Sequence, residues 1–474
     1  IGHLYPKVHI LPEQCGGEAT VIAWKWARTV KCPNPACGCE MPLASSFVLS
    51  KKKGKEAWVE PQFEDGKVTY VVHLEGKPKI EGTVNRQGAV CPCCGTAVPF
   101  SYIREQGKAG GMSAQMMAVV AEGKNGRIYL SPTLIQEEAA AVLRPETYPD
   151  GELFGKAAVN VPLYGMKGFA DLFTNRQLTA LTTFSDLVAE AQAKATQDAL
   201  ASGMQDDGRG LDEGGCGATA YGQAVGVYLA FLVDKLADLG NSLNRWEPIA
   251  QCPRQLFARQ AIPMIWDYAE GNPFSASSGS WKVLLHNLSG CFSAKLFDFN
   301  RVNKGIVRQF DAQSDCGIRN LVISSDPPYY DNIGYADLSD FFYIWLRRSL
   351  KDTYPHLFRT MLVPKAEELV ATPYRFDNSK EKARDFFEDG MLQACRQFCR
   401  YAREDVPITI YYAYKQSESD EGDNASQAST GWETMLSAII KAGFAITGTW
   451  PMRTECSSRS NAMETNALAS SIVL

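Results

Sequence analysis

Asp326, Pro327, Pro328 and Tyr329 stand in a row, and each brings something different to one task. Asp326 offers a carboxylate that accepts hydrogen bonds. Pro327 keeps its carbonyl free while donating nothing. A primary amino group presents two N–H bonds, and these are two acceptors for them. Tyr329 offers a ring face on which a base can stack, worth about 1–3 kcal/mol. Pro328 fixes the backbone so that carboxylate, carbonyl and ring converge. The exocyclic amine of adenine or cytosine has its lone pair delocalised into the ring. A catalyst must orient that nitrogen and favour its pyramidal form, so the four residues suit methyl transfer to such an amine. The plain alternative is a proline-rich turn between a strand and a helix.

The flanking segments decide where the four residues sit. Residues 321–323 are apolar and mostly β-branched, which predicts a buried parallel strand. Two consecutive prolines bar helix and cannot lie inside a central strand. The chain must leave the sheet at Asp326, at the carboxyl end of the strand, where open α/β sheets bind ligands. Helical periodicity follows over 338–350 and 380–402, then a strand over 407–412 and a helix over 431–442. Strands over 445–450 and 468–473 close the chain. This alternation is the second half of a doubly wound sheet ending in an antiparallel pair. The polar stretch 415–430 reads as a lid, a DNA-contacting loop or a disordered connection.

A second set of chemistry-bearing residues lies near the start. Cys32-Pro33-Asn34-Pro35-Ala36-Cys37-Gly38-Cys39 and Cys91-Pro92-Cys93-Cys94-Gly95 are separated by short strands. Two thiol knuckles with glycine after the second thiol are what a zinc ribbon needs, because glycine lets backbone N–H groups approach the sulfur. Cys32, Cys37, Cys91 and Cys94 are the assigned ligands, with Cys39 and Cys93 as competitors. Four thiolates leave no open position, so the zinc would be structural. The ribbon is expected to span 19–105, and a mixed, mainly helical insertion 106–300, with a long amphipathic helix over 172–200. Between the knuckles, Lys51-Lys52-Lys53-Gly54-Lys55 marks a hairpin tip that either touches phosphate or is simply solvated.

The tetrapeptide Asp326-Pro327-Pro328-Tyr329 resembles the catalytic motif of the amino-group DNA methyltransferases. The longer run through Tyr330, Asp331, Asn332 and on to Phe342 resembles more narrowly the prokaryotic adenine-specific DNA methylases that carry a zinc ribbon. Ser324 departs from the apolar strand residue usual there. The resemblance implies an α/β fold, the Rossmann-like, doubly wound domain of S-adenosylmethionine-dependent methyltransferases, with 301–474 as its C-terminal, catalytic half. It implies transfer of a methyl group from S-adenosylmethionine to N6 of adenine in DNA, the base being flipped from the stack. Aspartate at the first position favours adenine over cytosine, and Tyr330, Asp331 and Asn332 are expected to shape the base pocket. An acidic residue before the catalytic strand often contacts the cofactor adenine in this class, and Asp311, after an expected strand at 306–310, is the candidate. The resemblance and the Cys-Gly pairing both favour Cys37 and Cys94 over Cys39 and Cys93.

Such a domain also needs a glycine-rich cofactor loop. Gly215-Cys216-Gly217-Ala218-Thr219-Ala220 has a suitable glycine spacing before a helix at 221–239, but no strand enters it, so it reads as a helix-capping loop. The cofactor loop is therefore expected upstream of Ile1 or on a partner subunit. Residues 1–18 are read as a linker from that missing segment, and the chain alone is expected to bind S-adenosylmethionine weakly. Two other readings stay open: a methyltransferase acting on RNA or a protein amide, and a non-catalytic zinc-ribbon fragment or subunit that binds DNA.

Bulk properties agree with an ordinary globular protein. The 474 residues suggest roughly two to four domains. A formal net charge of −5 argues against a histone-like binder but allows a local basic cleft. No apolar stretch reaches the ~18 residues of a membrane span, and no secretion signal opens the chain. Fourteen cysteines without such a signal suggest reduced thiols and metal in the cytoplasm.

Overall fold

The computed structural model describes residues 1–10, 16–64, 66–257, 260–293, 305–330, 333–413, 424–452 and 471–473. The chain forms two compact units: Ile1–Asp298 with Asp337–Val363, and Phe299–Ala336 with Pro364–Leu474.

The first unit is built on β1 (Val21–Lys31), which is buried along nearly its whole length. Even Lys25 is enclosed, its ammonium 2.6 Å from the Asp267 carboxylate. After it come β2 (Glu40–Leu43), β3 (Val48–Ser50), β4 (Ala57–Glu64), β5 (Lys67–His73), β6 (Gly88–Val90), β7 (Ala97–Pro99), α1 (Phe100–Lys108), β8 (Ser113–Gly123) and β9 (Gly126–Leu130). The helices α2 (Asn175–Ala201) and α3 (Ala218–Leu239), the strand β10 (Ala269–Gly271) and the helix α4 (Trp281–Ser293) follow. β8 pairs antiparallel with one edge of β1, and β9 pairs with β8. β10 and β2 share the other edge, opposite Ala23 to Lys25 and Arg28 to Lys31 respectively. The β3-β4-β5 sheet and the β6-β7 hairpin are the short strands expected between the knuckles.

This pairing redraws the expected boundaries. A ribbon at 19–105 and an insertion at 106–300 do not separate, because β1 from the first is zipped between β8 and β10 from the second. The reason is composition: a strand buried on both faces needs neighbours on both edges, and the hairpins of the ribbon supply only part of one. The long helix α2 starts at Asn175, later than the expected 172, because a Thr-x-x-Gln capping box sets its first turn. Thr174 Oγ1 accepts from Gln177 N at 3.1 Å, and Gln177 Oε1 accepts from Thr174 N at 2.9 Å. At the helix start, Arg176 is fully buried, 2.8 Å from Glu270 and stacked over Trp24.

In the second unit, β11 (Ser324–Ser325) runs parallel to β12 (Thr409–Ala413). Between them in sequence lie α5 (Tyr335–Leu350) and α6 (Lys380–Tyr401), and after β12 come α7 (Asn424–Lys441), β13 (Trp450–Met452) and β14 (Ser471–Val473). The sheet order is β11-β12-β14-β13, with β14 antiparallel to both neighbours. Phe387, Met391 and Cys395 of α6 and Met435, Ala438 and Ile439 of α7 bury against Ile410 and Tyr412 of β12.

Three expectations are corrected here. The strand before Asp326 is parallel but not buried: Val322 is 66% exposed, and among the described residues β11 pairs with β12 alone. No strand forms at 306–310, where Val307 is 98% exposed. Helix α5 belongs from Asp337 onward to the first unit rather than to a catalytic half at 301–474. Its apolar stripe of Phe341, Ile344 and Trp345 joins a core with Leu178 and Leu181 of α2 and Leu232 and Leu236 of α3.

Candidate functional site

Two clusters of chemistry-bearing residues are present, one in each unit. In the first unit the Sγ atoms of Cys32, Cys37, Cys91 and Cys94 all lie within 4.8 Å of one another. Cys32 and Cys94 are 3.7 Å apart, and Cys37 and Cys91 are 3.9 Å apart. A tetrahedral zinc with Zn–S bonds of about 2.3 Å has S···S edges of about 3.8 Å. The four cysteines can hold a metal ion, and the donor set is compatible with zinc.

Local turn chemistry explains the convergence. In the first knuckle Cys37 N and Gly38 N both donate to the Asn34 carbonyl, at 2.9 and 3.0 Å. In the second, Gly95 N donates to the Cys91 carbonyl at 2.8 Å. Gly38 and Gly95 take φ of 56° and 75°, a left-handed conformation in which glycine is strain-free. The two knuckles are linked by Asn34, whose Nδ2 donates to Thr96 Oγ1 at 3.3 Å. Thr96 in turn lies 3.1 Å from Cys94 Sγ. Its hydroxyl and backbone hold the Cys94 thiol down to about 6, whereas burial pushes Cys91 up to about 12 and raises Cys32 as well. Metal binding must therefore expel protons from the buried thiols. The two competitors point at each other instead: Cys93 Sγ and Cys39 Sγ are 2.9 Å apart, outside the four-sulfur set.

In the second unit Asp326 to Tyr329 leave the sheet directly after β11. Tyr329 Oη donates to Asp326 Oδ1 at 2.8 Å, and among the described residues Tyr329 is the partner of that exposed carboxylate. The second carboxylate oxygen is open to an outside donor. The Pro327 carbonyl accepts no backbone hydrogen bond among the described residues. The Tyr329 ring packs edge-on against Tyr412, centroids 5.4 Å apart, and Tyr412 leans on Trp432 at 5.8 Å.

Tyr330 has φ of 33°, which a side-chain-bearing residue adopts only under constraint. The constraints are visible. Its carbonyl accepts from Ala371 N at 2.9 Å, and its ring meets Phe387 at 5.2 Å. Gly431 leaves it room: a Cβ there would come within 3.1 Å of Tyr330 Cβ. Tyr412 and Trp432, at a strand end and a helix start, carry no motif of their own, yet the fold brings them to the tetrapeptide. The available signal was an aromatic at the carboxyl end of the strand paired with β11. Asp331 and Asn332, expected in the base pocket, lie outside the described residues.

Asp311 does not sit at a strand end. Its Oδ1 accepts from Gln313 N at 2.9 Å and its Oδ2 lies 3.3 Å from Ser314 Oγ, so the carboxylate closes its own exposed turn. Nothing in that arrangement suits it to a cofactor adenine. The glycine-rich loop before α3 caps the helix. Asp206 accepts from Thr219 N at 3.1 Å and from Thr219 Oγ1 at 2.6 Å. Its glycines serve close packing, since a Cβ on Gly217 would lie 2.6 Å from Asp206 Cα. No helix among the described residues is long and apolar enough to cross a membrane. No known family model matches the chain, and no curated protein or solved structure matches it.

Proposed function

We propose that the chain carries the target-amine side of a methyltransferase site, acting on N6 of adenine in DNA with S-adenosylmethionine as methyl donor. The observation that supports this reading best is the placement of Asp326 to Tyr329 at the carboxyl end of a parallel strand, with the Tyr329 hydroxyl bonded to the Asp326 carboxylate. The strand order β11-β12-β14-β13, with one antiparallel member, is consistent with the second half of a doubly wound methyltransferase sheet.

In this reading the open Asp326 oxygen accepts one N–H of the target amine, and the Pro327 carbonyl accepts the other. Together they favour the pyramidal form of the nitrogen, so that its lone pair is withdrawn from conjugation with the ring and is free to attack. When bound, S-adenosylmethionine supplies an electrophilic methyl group. As the amine gains positive charge, its N–H bonds to Asp326 strengthen, so the stabilisation is larger in the transition state than in the ground state. Asp326 need not be a strong base. The Tyr329 ring, backed by Tyr412, provides the stacking face for a flipped base. No described residue is assigned to the donor, since the Asp311 carboxylate closes its own exposed turn. The four-cysteine centre is read as structural zinc, tying the two knuckles together with no open coordination position.

Transfer of labelled methyl groups to DNA, RNA and protein, compared between wild type and Asp326→Ala, tests the proposal. Label in DNA that disappears with Asp326→Ala is the expected result. Label confined to RNA or to a protein amide would replace the substrate. Absence of both transfer and S-adenosylmethionine binding in the complete protein would leave a non-catalytic DNA-binding role.

A further inference from the structure

The tip of the β3-β4 hairpin and the tip of the β8-β9 hairpin come from different sheets yet meet in space. Lys55 Nζ donates to the Asn125 carbonyl. Gly126 leaves room for that approach, since a Cβ there would lie 2.9 Å from Lys55 Nζ. The junction forms an open groove of about 290 Å³, lined among others by Gly54, Lys55, Glu56, Leu74, Lys124 and Arg127. Lys51, Lys52, Lys53 and Lys124 are all exposed and have no ion-pair partner among the described residues. Glu56 alone is acidic among the residues lining the groove. A concentration of unpaired cations is conspicuous on a chain whose formal net charge is −5.

The backbone that carries these cations is also held in place. Lys51 N donates to the Pro248 carbonyl at 3.1 Å, and Lys55 N to the Lys52 carbonyl at 2.9 Å. Lys52 N donates to Ser50 Oγ at 3.2 Å. Arg127 is steadied by a 2.7 Å bond to Ser277 Oγ. A tip closed on itself and pinned to the body spends little further backbone entropy on meeting a ligand.

We infer that these two hairpin tips form a docking surface for the phosphate backbone of duplex DNA. The composition selects this partner. Lysines are compact, strongly hydrated point charges that suit phosphate and lack the planar fork of arginine. Among the described residues no exposed aromatic ring lines the groove, for Tyr129 is buried. Single strands would need such a ring as a stacking platform. The surface therefore suits a sequence-independent contact that orients a duplex rather than one that reads it. The choice of DNA rests on the methyl-transfer reading above. The charge, the groove and the missing stacking platform do not depend on it.

The test is fluorescence anisotropy of a mixed-sequence duplex titrated with the full chain between about 50 and 200 mM salt. Wild type is compared with Lys51→Gln/Lys53→Gln/Lys124→Gln and with a control triple at exposed lysines elsewhere, Lys108→Gln/Lys282→Gln/Lys351→Gln. Each phosphate contact contributes about 0.9 to the log–log salt slope, so wild type should lose about 40-fold more affinity over this range than the groove triple. The control triple should follow wild type. An unchanged slope in the groove triple, or an equal fall in the control, would overturn the assignment. So would a single strand of the same length that binds as tightly with the same lysine dependence. Methyl transfer measured on the same preparations separates the two proposals. Duplex binding through the groove stands whether or not Asp326→Ala changes transfer, and transfer that depends on Asp326 but is indifferent to the three lysines removes this assignment only.

Discussion

At the scale of single residues, Asp326 and Tyr329 act as a pair because the hydroxyl holds the carboxylate. On the proposed reading, Asp326→Ala should lower methyl transfer by about 100- to 1,000-fold while leaving the fold intact, by analogy with removal of one oxyanion-hole donor. A variant retaining most of the wild-type rate would take Asp326 out of the mechanism. The stacking role of Tyr329 alone would make phenylalanine harmless. The 2.8 Å bond to Asp326 changes that expectation. Tyr329→Phe should keep the stacking face but lose a charge-assisted hydrogen bond of about 1.5 kcal/mol, hence about 10-fold in rate. Tyr329→Ala should fall further because the ring is lost too. Equal rates for phenylalanine and wild type would mean that the bond does nothing. Among the thiols, Cys37→Ser and Cys94→Ser should release the metal, whereas Cys39→Ser and Cys93→Ser should retain it. Metal content of the purified variants decides this, and the reverse pattern would exchange the ligand set.

At the scale of elements, the residue before helix α3 is Gly217, which has no side chain with which to cap it. Asp206 does the capping from the preceding loop. Asp206→Ala should therefore destabilise the protein as the loss of a helix cap does, seen as a lower urea midpoint. S-adenosylmethionine binding should be unchanged. A variant of normal stability with impaired cofactor binding would revive this loop as a cofactor element. In the second unit, β11 pairs among the described residues with β12 alone, and just before it Leu321 N donates to the Tyr401 carbonyl at 2.7 Å. The tetrapeptide is thus positioned less by its own short strand than by what packs behind it: Tyr412 from β12, Phe387 from α6 and Trp432 from α7.

At the scale of the whole molecule, the first unit depends on charges enclosed within it. Glu270 accepts from Arg176 Nε at 2.8 Å, Trp26 Nε1 at 2.9 Å and Thr174 Oγ1 at 3.1 Å. It thereby joins β10, β1 and the start of α2. Glu270→Ala should cost about 3–5 kcal/mol, because it strands a buried guanidinium rather than merely deleting a contact. Chemical denaturation measures this, and a loss below about 1 kcal/mol would show that Arg176 finds water or another partner. Metal removal acts more locally. A chelator should loosen the knuckles, read as faster hydrogen exchange around Cys32 to Cys39 and Cys91 to Thr96, while the core of α2 and α3 stays protected.

The elements of this protein that carry their own local signals were legible in the sequence. The α2 helix announces itself by its capping box and amphipathic period, and the knuckles by thiols followed by glycine. The Asp-Pro-Pro-Tyr turn was legible because two prolines cannot continue a strand. These signals depend on neighbours a few residues apart. What lay beyond them depends on partners far along the chain. The strand 321–323 has the composition of a buried strand, but burial requires a neighbour on each edge, and only β12 is present among the described residues. The ribbon and the region after it share one sheet because β1 needs more pairing than nearby hairpins can supply. Helix α5 joins the first unit because its apolar stripe fits α2 and α3, a match that no local pattern records. The same holds for the hydroxyl on Asp326, the ring of Tyr412 behind Tyr329, and the meeting of two lysine-bearing hairpin tips. Periodicity and turn chemistry determine which elements form, whereas long-range packing decides which of them are neighbours.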